Sequence, residues 1–296
     1  MKQVQVIHNP GAGDENHDAE NLKTLLEQHG YDCTYVSSKE KGWKDFDRSG
    51  DLLVVAGGDG TIRKVARELL EGRLLDKPGA IALLPLGTAN NICRSLNISG
   101  DAADIISNWD SGRIKGYDIG RVCNVPDHQF FLESLGYGVF PYLMQEMKKL
   151  EDNFPEPEQK MQKALEVLHG IVMDYKPRDC ELEADGTDHS GKYILAEIMN
   201  TRSIGPNLEI SPESDPGDGF FEIVTVPEAD KEKFAGYIAA KMAGREQPYV
   251  FPLFQCKSAT IKWDGTHVHL DDDIVKMEKG TTVQVQLRRG LLDFLV

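Results

Sequence analysis

Leu52-Leu53-Val54-Val55-Ala56-Gly57-Gly58-Asp59-Gly60-Thr61 is the stretch that decides the fold. Its unbroken apolar run reads as a strand buried on both faces, the situation of a parallel sheet covered by helices on either side. Paired glycines close the run. Ile62, Val65, Ala66, Leu69 and Leu70 then recur at helical spacing and predict a helix stopped at Gly72. Upstream, residues 4–8 form a short apolar run ended by Asn9-Pro10-Gly11. Ala19, Leu22, Leu25 and Leu26 predict a helix with Gly30 as its C-cap, and residues 31–36 read as extended. Downstream, residues 81–84 are a second buried strand ended by Pro85, residues 102–109 are helical and residues 114–119 extended. This alternation predicts an α/β domain over residues 1–118, an open and mostly parallel sheet with helices on both faces.

Beyond Gly120 the period changes. Residues 130–135, 180–184, 193–199, 220–226, 259–263, 267–270 and 283–287 are short runs rich in period-2 alternation, which predicts an antiparallel β-sandwich or meander over residues 119–289. Trp263-Asp264-Gly265-Thr266 reads as a two-residue hairpin turn. Helical stretches near residues 142–150 and 158–175 interrupt the strands, separated by Pro155-Glu156-Pro157. In the second, Met161, Leu165, Leu168, Val172 and Tyr175 form one stripe. It either packs on the sheet or faces a lipid or a second copy of the chain as a homodimer.

The chain has 296 residues, and at roughly 100–200 residues per domain two domains are expected. Lys+Arg 33 against Asp+Glu 48 leaves a net charge of −15, which argues against nucleic acid as a partner because phosphates need a basic surface. The same charge restricts contact with an anionic bilayer to a local patch. Lys39/Lys41/Lys44, Lys148/Lys149 and Lys231/Lys233 are the clusters that could supply one; otherwise they are solvated faces. No apolar run approaches the ~20 residues of a transmembrane helix, and the N-terminus lacks the apolar stretch of a signal peptide. Five scattered cysteines without a CxxC pair read as reduced, mostly buried thiols of a cytoplasmic protein.

Three loops follow predicted parallel strands, at the ends where open α/β sheets bind ligands. They are Asn9-Pro10-Gly11-Ala12-Gly13, Gly57-Gly58-Asp59-Gly60-Thr61 and Pro85-Leu86-Gly87-Thr88-Ala89-Asn90. Glycines let backbone N–H groups approach an anion, Thr61 and Thr88 add hydroxyls, and two of the loops lead into helices. One such loop is equally well a tight strand–helix turn; three together point to a phosphate-rich ligand. Asp59 would repel a polyphosphate unless a divalent cation lies between them or the carboxylate holds a sugar hydroxyl. A nucleoside triphosphate with Mg²⁺ meets that condition. Neither GxxxxGK[ST] nor GxGxxG occurs.

Taken in order, Asn9-Pro-x-x-Gly13, Gly57-Gly-Asp-Gly-Thr61 and Pro85-Leu-Gly-Thr-Ala-Asn-Asn-x-x-Arg94 resemble the catalytic domain of the diacylglycerol kinase family, which includes soluble bacterial lipid kinases and the sphingosine kinases. Asp118-Ile-Gly120 resembles that family's domain-crossing strand and Phe131-Leu-Glu-Ser-Leu-Gly136 the segment after it. Asp218-Gly219-Phe-Phe-Glu222 resembles its Asp-Gly-Leu-Leu-Asp, and Asp271-Asp-Asp273 its Asp-Gly-Glu. The Gly-Gly-Asp-Gly-Thr stretch alone is shared with the NAD kinases. The resemblance implies an ATP-binding α/β domain, then a β-sandwich for the lipid substrate, an active site in the cleft between them, and a last strand (291–296) returning to the first domain.

The resemblance also implies roles. ATP phosphates would lie against Asn9, Gly13, Gly58, Gly60, Thr61, Gly87, Thr88 and Asn90. Asp59 would act near the transferred phosphoryl group and its Mg²⁺, Asp271 would be the general base with Asp273 beside it, and Asn91, Arg94 and Asp118 would face the substrate. Asp218, with backbone carbonyls near Asp215 and Phe220, would hold a structural Mg²⁺. The chain departs from the family where Asn90-Asn91 replaces Asn-Asp, where Asp272 replaces glycine and where Asp273 replaces glutamate. The implied activity is that of a cytoplasmic, ATP- and Mg²⁺-dependent lipid kinase in transient contact with a membrane surface. A kinase of a soluble substrate such as NAD and a non-catalytic nucleotide or lipid sensor are the alternatives.

If the strand continues from His267, alternation places His267, His269, Asp271 and Asp273 on one face and Val268 and Leu270 on the other. That cluster reads as a His-x-His-x-Asp metal site, a solvated acidic turn or an active-site carboxylate. The last is favoured because phosphoryl transfer to a hydroxyl needs a base. His8 reads as a buried or capping histidine, and Arg94 as a partner of phosphate or of Asp118.

Overall fold

Val54, Val55 and Ala56 are buried because the strand that carries them has a parallel neighbour on each side. The computed structural model describes residues 2–13, 18–45, 52–71, 79–150, 154, 156–245 and 249–296, so the predicted helix stop at Gly72 and the Pro155 break lie outside the described residues. The chain divides into two units, Met1–Asp118 with Arg289–Val296, and Ile119–Arg288.

In the first unit, β1 (Lys2–His8), β2 (Tyr31–Ser37), β3 (Leu52–Gly57) and β4 (Ile81–Pro85) pair in the order β2-β1-β3-β4, all parallel, with Ile7 facing Val36 and Val55, and Val55 facing Leu83. The helices are α1 (Ala19–Gln28), α2 (Asp59–Glu71), α3 (Asn91–Ser95) and α4 (Ala102–Asn108). Asp18 and Asp101 start α1 and α4 by accepting the Glu20 and Asp104 N–H groups, the local chemistry that begins helices. β5 (Ile114–Cys123) leaves this unit, and the last strand of the chain returns to it, its Phe294 and Leu295 pairing in parallel with Ile81 and Ala82. Phe294 is fully buried, edge-on to Tyr117.

The second unit is an antiparallel β-sandwich. Its strands are β6 (Phe130–Phe131), β7 (Ser134–Gly138), β8 (Arg178–Ala184), β9 (Thr187–Asp188), β10 (Gly191–Met199), β11 (Ser203–Ile204), β12 (Leu208–Glu209), β13 (Phe221–Pro227), β14 (Leu253–Cys256), β15 (Ser258–Trp263), β16 (His267–Leu270), β17 (Asp273–Lys276) and β18 (Thr282–Leu295). Alternation sorts β10 and β13 onto two cores. Ala196, Ile198, Phe221 and Ile223 pack with Leu135, Leu182 and Ile261 from other strands. Leu195, Met199, Val224 and Val226 pack against α5 (Val139–Lys149), α6 (Pro157–Asp174) and α7 (Lys231–Met242). Leu165, Leu168 and Val172 of the α6 stripe are in that second core, so the stripe packs on the sheet. Each such side chain contributes about 1.5–3 kcal/mol by leaving water. Helix α7 lies outside the helical stretches read from the sequence, and its Phe234, Ala235 and Ile238, at helical spacing, are all buried.

Two turns differ from the sequence expectation. Asp264-Gly265 does not close a hairpin: β15 pairs with β8 and β18, whereas β16 pairs with β7 and β17. Neither Asp264 nor Gly265 adopts the positive φ that two-residue hairpin loops need, and the Asp264 N–H is drawn off to the Asp179 carbonyl. The strand from His267 also stops at Leu270 and does not run on to Asp273. Leu270 pairs with Asp273, so Asp271-Asp272 is itself the two-residue loop, with Asp271 in the left-handed region at φ 52°.

Candidate active site

β1, β3 and β4 are sheet neighbours, so the loops at their C-terminal ends lie side by side. Their glycines allow the contact. A Cβ on Gly13 would strike the Leu86 carbonyl oxygen, one on Gly58 would lie 3.0 Å from the Gly87 Cα, and one on Gly87 would strike the Gly58 Cα. Asp59 ties the second loop to the third. Its carboxylate, in a side chain 9% exposed, accepts the Asn91 N–H at 2.9 Å and the Ile92 N–H at 3.0 Å, capping α3. This differs from an open carboxylate facing a phosphate-bound cation. Both oxygens are turned onto backbone donors, because α3 starts beside the start of α2 and its first N–H groups lack intrahelical partners. Burial pushes the Asp59 carboxyl above its ordinary value, against those two hydrogen bonds and the charges of Arg63 and Arg94.

The remaining loop residues divide between holding the loop and lining it. Asn90, at φ 50°, accepts the Gly87 N–H and donates to the Gly87 carbonyl, closing its own loop. Asn9 accepts the Gly11 N–H in the same manner. Thr61 is buried with its side chain against Gly57, whereas Thr88 is exposed. Asn91 is buried at the start of α3, and Arg94 is exposed. Asp118 accepts the Gly290 N–H at 2.7 Å, joining β5 to β18. His8 is buried with Nδ1 2.9 Å from the Tyr35 hydroxyl, as a core histidine should be.

In the second unit, the loop at Asp271 meets the segment 132–134. The Asp271 carboxylate accepts the N–H groups of Leu132 (3.1 Å), Glu133 (2.7 Å) and Ser134 (3.3 Å), while the Asp271 N–H donates to the Ser134 carbonyl. Two stretches far apart in sequence thus form one turn. Asp273 lies 3.2 Å from His128 Nε2, and Asp272 is exposed.

The diacylglycerol kinase catalytic domain profile matches residues 3–122, and that of the YegS C-terminal NAD kinase beta sandwich-like domain matches residues 147–248. A diacylglycerol kinase of Bacillus subtilis (strain 168) is 30% identical over 253 residues, covering 79% of this chain and 77% of that protein. The chain belongs to the diacylglycerol kinase family. A diacylglycerol kinase of Staphylococcus aureus (strain bovine RF122 / ET3-1) is 26% identical over 240 residues, 77% of this chain and 72% of that one. A crystal structure of a diacylglycerol kinase from Bacillus anthracis str. Sterne shares the fold, with a TM-score of 0.72 at 22% identity, covering 99% of this chain and 96% of that one.

Membership in the diacylglycerol kinase family makes the metal residues worth testing against the geometry. Asp215 Oδ1 accepts the Gly217 N–H and Asp218 Oδ1 the Phe220 N–H, so one oxygen of each carboxylate is held within its own loop. Among the described residues no three His, Cys, Asp or Glu side chains converge as a metal set, at this loop or at His267–Asp273. A single carboxylate with backbone carbonyls, the set implied for Asp218, Asp215 and Phe220, is not a cluster of that kind. Burial pushes the Cys180 and Cys256 thiols up to about 12, so neither supplies a thiolate near neutral pH. No helix among the described residues is long and apolar enough to cross a membrane.

The sequence groups His269 with His267, Asp271 and Asp273, but its partner in the structure is Glu197, which no motif marks. Glu197 and His269 are 0% and 1% exposed, with His269 Nε2 at 3.0 and 2.8 Å from the two Glu197 oxygens. The available signal was a single carboxylate inside the apolar run 194–199, which only a buried partner makes tolerable. Burial raises the Glu197 carboxyl above its ordinary 4.5. Burial opposes charge on His269, but the Glu197 carboxylate outweighs it and lifts the imidazole above 6.5. The folded pair therefore keeps one proton that an unfolded histidine loses as pH rises past 6.5. Its stabilisation is complete below that pH and declines above it, by about 1.4 kcal/mol per pH unit for one retained proton. Melting curves between about pH 6 and 9 should show a steeper alkaline fall for the wild type than for a Glu197→Met/His269→Leu variant.

Proposed function

We propose that this protein transfers the γ-phosphoryl group of ATP, taken as its Mg²⁺ complex, to a hydroxyl of a diacylglycerol-like or sphingoid-like lipid. The observation that carries the reading is the mutual contact of three glycine-rich loops at the ends of adjacent parallel strands, where backbone N–H groups can receive a polyphosphate. Asn9, Gly13, Gly58, Gly60, Thr61, Gly87 and Thr88 would line the phosphates, with Asn90 and Asp59 setting the loop shape. In the second unit Asp271 would accept the lipid hydroxyl proton as the oxygen–phosphorus bond forms and the β,γ-bridging bond breaks, leaving ADP. Asp273 would sit beside that step, Arg94, Asn91 and Asp118 on the acceptor side, and the lipid would be reached by transient contact with a bilayer surface.

A kinase of NAD is the second reading, because residues 147–248 match the NAD kinase-like sandwich profile. Radiolabel transfer from MgATP to a panel of lipids in mixed micelles, with NAD alongside and EDTA as the metal-free control, tests both. Label on a lipid alone supports the proposal. Label on NAD alone supports the second reading, and nucleotide binding without transfer points to a sensor.

The loop contact yields its own expectation. Gly87→Ala should force the second and third loops apart, lowering stability by about 1–3 kcal/mol and weakening MgATP binding. Gly79→Ala, where an added Cβ meets no described atom within 4 Å, should do neither. Differential scanning fluorimetry with and without MgATP checks both variants.

A further inference from the structure

We infer that the buried Glu197–His269 pair positions the Asp271 turn by donating a hydrogen bond to the Asp271 backbone carbonyl, and that turnover depends on that hydrogen bond. The inference rests on the role proposed above for Asp271.

The pair is built across a glycine. On β7, Gly136 is registered with Glu197 of β10 on one side and His269 of β16 on the other. With no side chain on Gly136, the carboxylate lies over the strand and reaches the imidazole; a Cβ there would collide with it. The Phe140 ring stands edge-on to His269, with centroids 6.3 Å apart. The other imidazole nitrogen, Nδ1, is 3.0 Å from the Asp271 carbonyl oxygen. A carbonyl only accepts, so Nδ1 carries the hydrogen and Glu197 faces Nε2.

The turn needs such a restraint. Asp271 holds φ 52° without being glycine, in a hairpin whose second strand, β17, ends the sheet path. The 132–134 segment grips its side chain and its N–H, and His269 grips its carbonyl. The pair therefore links this edge loop to β10, which has β7, β8 and β13 as partners. Stability alone gives no reason for it, since a well-packed apolar pair usually serves as well as a buried ionic one. An apolar pair cannot donate to Asp271.

Two double variants separate donation from packing. Glu197→Met/His269→Leu fills the space without a donor. Glu197→Gln/His269→Asn keeps an amide N–H where Nδ1 stands. The measurements are melting temperature, amide hydrogen exchange at Glu133 and Asp271, and kcat and KM for MgATP. The Met/Leu variant should fold, exchange these amides at least ~10-fold faster, and lose ~10–10²-fold in kcat with KM for MgATP unchanged. The Gln/Asn variant should restore protection and most of the turnover. A folded Met/Leu variant with wild-type exchange and turnover overturns the inference. Should that variant not fold, the Gln/Asn variant decides, and loss of both protection and turnover in it overturns the inference. If the wild type transfers phosphate to no acceptor, the proposed function fails, and exchange at Glu133 and Asp271 still decides whether the pair holds the turn.

Discussion

Asp271→Asn should lower turnover by ~10²–10⁴-fold, the usual cost of losing a general base. The geometry makes the substitution a clean one. Asp271 Oδ1 takes the N–H groups of Leu132, Glu133 and Ser134, whereas Oδ2 shares only that of Leu132. An asparagine can place its carbonyl oxygen in the Oδ1 position and its amide nitrogen in that of Oδ2. The turn survives, and the atom that would take a proton does not. Hydrogen bonds to a neutral oxygen are weaker than those to a carboxylate, so stability should fall modestly, on the order of 1–2 kcal/mol. Relief of charge crowding with Asp272 and Asp273 works in the opposite direction. Affinity for MgATP should hold. Steady-state kinetics, calorimetry and melting temperature together read the outcome: near-normal turnover rejects the base, and lost stability at normal turnover leaves Asp271 as a turn residue only.

Asp59→Ala should combine a large stability loss with weakened nucleotide binding. Two buried N–H groups, of Asn91 and Ile92, lose their acceptor at once. At ~1–3 kcal/mol for each unmet donor, offset by removing a carboxylate that burial already disfavours, the net loss should be on the order of 2–4 kcal/mol. The second and third loops lose their tie, and MgATP affinity should drop with it. Asp59→Asn keeps one acceptor and sheds the desolvated charge, so it should lose less stability than Asp59→Ala. An alanine variant that melts like wild type yet fails to bind MgATP would show that the carboxylate serves the ligand and its cation, as the family resemblance implies, and not the loops.

Part of this protein could be read directly from its residues. Residues 52–56 and 81–84 are apolar throughout because parallel strands bury both faces, and the α6 stripe repeats at helical spacing because one side meets a sheet. Such signals need only the nearest few residues, and so do the glycine-rich loops that mark strand ends. Partner choice is different. The Trp263–Thr266 stretch has the composition of a hairpin, but competition from the Asp179 carbonyl and from β7 turns it into a crossing. Asp59 could be seen as a carboxylate in a loop, but its partners begin 32 residues later. Glu197 and His269 are separated by 72 positions and meet only because Gly136 has no side chain between them. Periodicity and turn chemistry are set by adjacent atoms; which polar group satisfies a buried charge is set by the register of distant strands, and only the assembled sheet fixes that register.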